Sequence, residues 1–314
     1  MISIDPRKLD LLRAWLFLPG AELEAMLMAA ASGADVLVQE LEDFTPPDRR
    51  PQARALSMRV FEAWRQAGAT VAVRINPLAE GGEADLRAVM QARPEIVMMS
   101  KVAHPQDMVA LDALVTALER EHSLPPGQTL LVPNIESALG VVNAIPIAQA
   151  SQRIRAMLVA TEDTVADLGA DRTREGTELL YPRARFLMEC TAAGVTAIDC
   201  PYTFKDADGA EHDMRLSCAM GYKAKAVVHT PHVAITNTCL TPQQEAVQLA
   251  RRYVSAFENA RAQGKERAEV EGMLVEVPSY FSAKRLLSRA EALADRGLAA
   301  RAAHRLSQEE VNHA

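Results

Sequence analysis

The chain has 314 residues, 49% of them hydrophobic, enough to bury a sizeable core as one large α/β domain or two smaller ones. Its 34 basic and 41 acidic residues give a formal charge of −7 at pH 7, and no basic stripe recurs along a face, so nucleic acid is excluded as a partner. The stretch MISIDPRKLDLLRAWLFLPG lacks a signal-like cleavage site, and no run approaches the roughly 18 apolar residues of a membrane span. A soluble cytoplasmic protein without a membrane partner is expected.

In chain order, short aliphatic runs alternate with amphipathic stretches. The predicted strands are AWLFLP near 14, DVLVQEL near 35, TVAVRIN near 70, EIVMMSK near 95, TLLVPNI near 129, RAMLVAT near 155, VTAIDC near 195 and AKAVVH near 224. Between the fourth and fifth, residues 105–122 read as a helix with Pro105 in its first turn and apolar residues spaced by three and four. Eight such units suit an open doubly wound sheet or a closed (β/α)8 TIM barrel. No strand is followed by G-x-G-x-x-G, which favours the barrel. After the last strand, TPQQEAVQLARRYVSAFENARAQG reads as a final barrel helix, with Thr241 as N-cap and Pro242 at its first position. The predicted catalytic barrel is thus residues 1–264. Residues 265–314 are left over as a C-terminal helical extension or lid, a short apolar segment followed by a helix, which is more than barrel closure needs.

Cys190, Cys200, Cys218 and Cys239 show no C-x-x-C pair and no histidines at zinc-ligand spacing, so thiols packed in the interior are expected. His229 and His232 are the closest histidine pair and read as loop or core residues.

A parallel barrel builds its site at the C-terminal ends of its strands, so polar residues there carry the functional reading. ELED follows the second strand, Arg74 and Asn76 close the third, Lys101 the fourth and Glu136 the fifth; Asp163 follows the sixth, Asp199 ends the seventh, and Lys225 and His229 bracket the eighth. Any one of them alone reads as an ordinary solvated or ion-paired loop residue. Together, carboxylates facing Arg74 and Lys101 across one mouth suit a hard cation and an anionic ligand. Magnesium fits better than zinc, because it takes oxygen ligands and needs few from the protein. In VLVQELED, alternation puts Glu40 and Glu42 on one side of the strand, with Asp43 opening the loop.

An ordered set of motifs then carries a resemblance over nearly the whole chain: LFLPG at 16–20, LED at 41–43, VRIN at 73–76, SKV at 100–102, NIES at 134–137, TEDTVADLG at 161–169, AIDCPY at 197–202 and GMLVEVP at 272–278. On these the sequence resembles the citrate lyase β-subunit-like group of the HpcH/HpaI aldolase superfamily, which includes malyl-CoA and citramalyl-CoA lyases. The resemblance implies a Mg²⁺ ion held by Glu136 and Asp163, with Glu42 and Asp43 orienting its waters. It places Arg74 on the carboxylate of a 2-keto or 2-hydroxy acid, beside the backbone of residues 161–163 and hence Glu162. It also implies catalytic roles for Lys101 and for Glu276, the latter at a motif position where aspartate is usual, and a CoA contact for Lys225. A homotrimer or homohexamer is implied, with the C-terminal segment reaching over a neighbour's site.

The implied activity is Mg²⁺-dependent cleavage of a short 3-hydroxyacyl-CoA thioester, such as malyl-CoA or citramalyl-CoA, into an acyl-CoA and a 2-keto acid, or the reverse condensation. Two alternatives stand beside it: a CoA-independent aldolase on a free hydroxy-keto acid, and a carrier-dependent citrate lyase β-type subunit. Residues 265–314 count against the former, which has less need of a thioester cover. Departures from the motifs include Gln39 and Glu40 where an aliphatic residue and aspartate are usual, Ser100, Thr161, Cys200, Ala224, Thr230 and His232.

Overall fold

Alternation of side chains in eight strands produces two apolar layers. The computed structural model describes residues 6–312. All eight predicted strands form: β1 (Ala14–Pro19), β2 (Val36–Glu40), β3 (Thr70–Ile75), β4 (Ile96–Met99), β5 (Leu130–Ile135), β6 (Ala156–Val159), β7 (Thr196–Asp199) and β8 (Ala224–Val227). They pair in parallel and in sequence order, and β8 returns to β1 through Trp15 and Ala226 to close the barrel. Closure removes every strand edge, and each crossover helix covers the outer face.

Residues of one parity point inward: Trp15, Phe17, Val36, Val38, Ala72, Met98, Val132, Leu158, Ile198 and Ala226 belong to one buried cluster, with Leu9 and Leu12 at its base. The opposite parity, including Leu16, Leu37, Val73, Val97, Leu131, Met157 and Ala197, packs against the helices in a second cluster. The helix Pro105–Glu121 begins where predicted; Asp107 accepts from the backbone N–H of His104 at 2.9 Å and reinforces its N-terminus.

Gly20 shows why the loop after β1 needs a residue without a side chain. Its N–H donates to the Glu40 carbonyl and to Thr45 Oγ1, each at 2.9 Å, and an added Cβ would lie 2.4 Å from that carbonyl oxygen. The mouth ends of β1 and β2 are thereby tied together. Gln39, of outward parity, is fully buried and fully partnered: its amide donates to the Gly20 and Ala53 carbonyls and accepts from Ser57 Oγ at 2.7 Å. A polar residue at this apolar position is tolerated because every hydrogen-bonding group is satisfied.

Contacts divide the chain into two compact units after Thr238. The second contains the helix Gln244–Ala262, an antiparallel hairpin of β9 (Ala268–Val270) and β10 (Met273–Val275), and the helix Val277–Asn312. Its two helices pack together, with the Phe257 and Tyr280 rings stacked at 4.8 Å. The amphipathic pattern assigns the first of these helices to the barrel, with Thr241 as N-cap and Pro242 at its first position. It instead starts at Gln244, with Gln243 as N-cap, and packs against the second helix. Among the described residues, no helix is long and apolar enough to cross a membrane. Cys190 and Cys200 are buried as expected, whereas Cys218 and Cys239 are only half-buried.

Outward parity also sets an ion network in the barrel wall. Arg183, from the helix Leu180–Ala193, grips Asp199 with Nε at 3.0 Å and Nη2 at 2.5 Å, and reaches Asp213 at 2.7 Å. Lys225 Nζ lies 2.9 Å from Asp199 and 2.7 Å from Asp213. Burial alone would raise the Asp199 pKa, but Lys225 and Arg183 outweigh it and hold the carboxyl well below its usual range. Its stabilising contribution is complete above the ordinary aspartate pKa of about 3.9 and fades as pH falls through the lower native value. Asp199→Asn should therefore lose about 3–5 kcal/mol of unfolding free energy at neutral pH, by leaving two buried cations undercompensated. Urea titrations should show the gap from wild type shrinking below about pH 4. A gap that is absent at pH 7, or that widens in acid, contradicts this assignment.

Candidate active site at the barrel mouth

The inward parity that packs Val36 and Val38 brings Glu40 to the top of β2, Arg74 to the top of β3 and Glu136 to the end of β5. Arg74 is buried, and its guanidinium faces three buried carboxylates. Nε donates to Glu40 Oε1 at 2.9 Å, Nη2 lies 3.3 Å from Glu42 Oε2, and Nη1 lies 3.9 Å from Glu136 Oε1. Arg74 Cζ also lies over the rings of Phe17 and Phe44, 5.4 and 5.6 Å from their centroids. Carboxylates and aromatic rings together hold the guanidinium in position. The Arg74 pKa is displaced upward: burial works against its charge, but Glu40, Glu136 and Glu42 more than compensate.

Lys101 follows β4 with φ of 55°, an uncommon left-handed backbone for a residue other than glycine. Its ammonium is 2.6 Å from Glu42 Oε1 and 3.9 Å from the half-exposed Asp43. Five sequence-predicted residues thus meet in one place: Glu42, Asp43, Arg74, Lys101 and Glu136. Asp163, in the first turn of the helix Thr161–Leu168, adds its charge at Glu136.

Glu136 stands out electrostatically. Burial pushes its carboxyl up to about 8, against the pull of Arg74, while Glu42 and Asp163 push it further in the same direction. Glu42 is raised mainly by burial too, with Arg74 and Lys101 opposing. Both carboxyl oxygens of Glu136, the whole Asn134 amide and Thr161 Oγ1 are buried without a hydrogen-bond partner, whereas the buried Glu42 oxygens are taken by their ion pairs to Lys101 and Arg74. Buried polar groups are rarely left in this state, because each costs roughly 1–3 kcal/mol. A concentration of them at one mouth marks a place that takes a polar ligand. Among the described residues no three His, Cys, Asp or Glu side chains are placed to hold a metal by themselves. The orphaned Glu136 oxygens and nearby Asp163 are a hard-oxygen pair, sufficient for a cation that keeps waters and shares a chelating substrate. The residues fit such an ion.

Other predicted residues are placed elsewhere. Glu162 turns its side chain to Arg172 Nε and Thr203 Oγ1, each at 3.0 Å, so only its backbone remains at the helix N-terminus. Lys225 was expected to contact CoA. Its outward parity commits the ammonium to Asp199 and Asp213 in the wall, and it does not face the mouth. Asp199 is turned outward by the same alternation. Asn76 braces the mouth through donations to the Leu41 carbonyl at 2.9 Å and Asp85 at 2.7 Å. His229 and His232 place Nε2 at 2.9 and 3.2 Å from the carbonyls of Thr203 and Lys205, edge to face with one another, and hold that loop. Glu276 lies exposed in the C-terminal unit, between β10 and the last helix. Sequence reading missed Phe17, Phe44 and Asn134, and left Glu40 without a role. The alternation from Val36 through Val38, and from Leu130 through Val132, held the signal for Glu40 and Asn134.

A closed parallel barrel with an arginine and clustered acids at its C-terminal mouth has the architecture of an α/β-barrel enzyme. The family model described as HpcH/HpaI aldolase/citrate lyase matches residues 13–230, and the chain belongs to that family of carbon–carbon lyases. Similar proteins include the citrate lyase subunit beta of Leuconostoc mesenteroides subsp. cremoris, 30% identical over 89% of this chain and 93% of that one. The L-malyl-CoA/beta-methylmalyl-CoA lyase of Cereibacter sphaeroides is 31% identical over 89% of this chain and 94% of its own. Among solved structures, the protein CitE from Mycobacterium tuberculosis in complex with magnesium, acetoacetate and coenzyme A superposes with a TM-score of 0.73. It is 25% identical and is matched over 89% of this chain and 98% of that one.

The geometry separates two kinds of substitution. Glu136→Gln should leave the melting temperature of the metal-free protein unchanged or raise it, because an amide replaces a carboxyl whose ionised form is penalised by burial. For the wild-type protein that penalty is absent below the ordinary glutamate pKa, grows as pH rises from there to about 8 and levels off above, because the native state holds a proton that the unfolded chain has lost. Arg74→Met strands three acids and should cost about 3–5 kcal/mol in urea unfolding. The reverse order of effects would contradict this charge assignment.

Proposed function

We propose that this protein is a Mg²⁺-dependent lyase that cleaves a short 3-hydroxyacyl-CoA thioester, with malyl-CoA or citramalyl-CoA as the substrate type, into an acyl-CoA and a 2-keto acid, or runs the condensation in reverse. The observation that carries the reading is the pair of buried, unpartnered Glu136 oxygens, with Asp163 nearby and a fixed Arg74 beside them. It is supported by family membership and by relatives whose names refer to malyl-CoA and citrate lyase, and by a similar structure that holds magnesium and coenzyme A.

Glu136 and Asp163 would hold the metal, which when bound supplies a Lewis acid and a template for a substrate hydroxyl or keto oxygen and its adjacent carboxylate. The chain's own residues do the remaining work. Arg74 offers its Nη edge to the substrate carboxylate and keeps positive charge beside the bond that breaks. Glu42, tied to Lys101 and Arg74, and Asp43 at the rim hold and orient water at the ion. Cleavage removes the hydroxyl proton, breaks the carbon–carbon bond and places the electron pair on the acyl-CoA carbon as an enolate, which then takes a proton. We assign that acid or base role to Glu276, provided by a neighbouring copy in a homotrimer or homohexamer, with the C-terminal segment excluding water.

Incubation with Mg²⁺ and malyl-CoA or citramalyl-CoA should release a keto acid and an acyl-CoA. Acetyl-CoA with glyoxylate or pyruvate should give the reverse reaction. Glu136→Gln should abolish both activity and the Mg²⁺-induced thermal shift. Glu276→Gln should lower kcat by about a hundredfold or more while Mg²⁺ and keto-acid binding persist. Absence of turnover with all of these thioesters by the purified wild-type protein would overturn the reading. Turnover only with an acyl carrier protein would point to a carrier-dependent subunit.

A further inference from the structure

Glu40 is fully buried at the mouth, yet it neither fits the cation site nor faces open solvent. Its two oxygens are spoken for. Oε1 accepts from Arg74 Nε at 2.9 Å and from the Glu42 backbone N–H at 2.6 Å. Oε2 accepts from the Phe44 backbone N–H at 2.6 Å. Its backbone carbonyl accepts from Gly20 N–H and from Thr45 Oγ1 at 2.6 Å. One residue therefore ties the catalytic-side arginine to both residues of the β2 loop that touch it: Glu42, whose carboxylate lies at Nη2, and Phe44, whose ring packs against the guanidinium carbon.

This arrangement has a directional consequence. A guanidinium can grip a carboxylate side-on, through Nε and one Nη, or end-on, through both Nη groups. With Nε occupied by Glu40, the side-on grip is closed. The Phe17 and Phe44 rings pack against the guanidinium carbon. The edge left for a ligand is the Nη1–Nη2 edge, which points to Glu136 and Glu42.

We propose that Glu40 is a positioning residue that sets Arg74 for end-on capture of the keto-acid carboxylate, and that Phe44, held by the same carboxylate, is the second half of that clamp. The proposal rests on the functional reading above for the identity of the ligand. A shift of the guanidinium by about 1 Å is costly in such a site, so loss of the clamp should appear first in affinity for the carboxylate ligand.

The test uses the full-length protein with Mg²⁺ and oxalate, a keto-acid mimic, by calorimetry. Glu40→Gln keeps shape but replaces one accepting oxygen with an NH₂ donor. It should weaken oxalate binding about tenfold or more while changing affinity for Mg²⁺ alone less than about threefold. In condensation assays its KM for the keto acid should rise with KM for the acyl-CoA unchanged, a split that general loosening of the barrel would not produce. Phe44→Leu, at a half-exposed position, should weaken oxalate about threefold to tenfold and decides the matter if Glu40→Gln does not fold. Oxalate affinity within about twofold of wild type in the folded Glu40→Gln protein, or in Phe44→Leu if that is the folded variant, overturns the clamp alone. Failure of wild type to bind oxalate with Mg²⁺, or wild-type binding by Arg74→Ala, overturns the functional reading and the clamp with it.

Discussion

The barrel mouth is organised by a shortage of positive charge in a dry place. Glu40, Glu42 and Glu136 are all buried, and the one fully buried cation they share is Arg74; Lys101 reaches in from a partly exposed position to pair with Glu42. Two charges cannot neutralise three in a region where water no longer screens them, and the acid held farthest from Arg74 has the weakest offset to its burial. That acid is Glu136, at 3.9 Å, and it is the one pushed up to about 8. A divalent cation bound there would supply the missing charge and satisfy the orphaned Glu136 oxygens in one step, so the electrostatic imbalance of the mouth and the proposed chemistry have a common origin.

The same mouth shows how one barrel separates binding from stability. Side chains of inward parity at the strand ends form the site, whereas those of outward parity are sealed between strands and helices. Arg183, Asp199, Asp213 and Lys225 form a network as dense in charge as the site itself, yet its members are paired with one another. A closed, self-compensated network contributes rigidity to the wall under the site. An incomplete one binds ligands.

Much of this was legible in the sequence. The strand count and the parallel barrel followed from the alternation of apolar runs and from the missing dinucleotide motif, and Glu42, Asp43, Arg74, Lys101 and Glu136 were picked out because they end strands. Lys225 shows the limit of that rule, since a residue can sit at a strand end and still face the helices. Parity was available to correct it: Ala224 and Ala226 are inward, so Lys225 is not. Glu40 needed both parity and knowledge that Arg74 sits across the pair in register, which strand pairing alone reveals. The helix Gln244–Ala262 looked like a barrel helix because its amphipathic pattern does not specify which apolar surface it meets. Its partner proved to be the final helix of the chain. The Phe17 and Phe44 rings at Arg74 left no pattern in sequence, because aromatic–guanidinium contacts join residues far apart in the chain.

The most direct test of the account is a crystal structure of the protein grown with Mg²⁺ and pyruvate. The account predicts metal density held by Glu136 and Asp163, and a pyruvate carboxylate on the two Nη groups of Arg74, with Nε still on Glu40. A metal bound away from Glu136, or pyruvate gripped through Nε with Glu40 displaced, would contradict it.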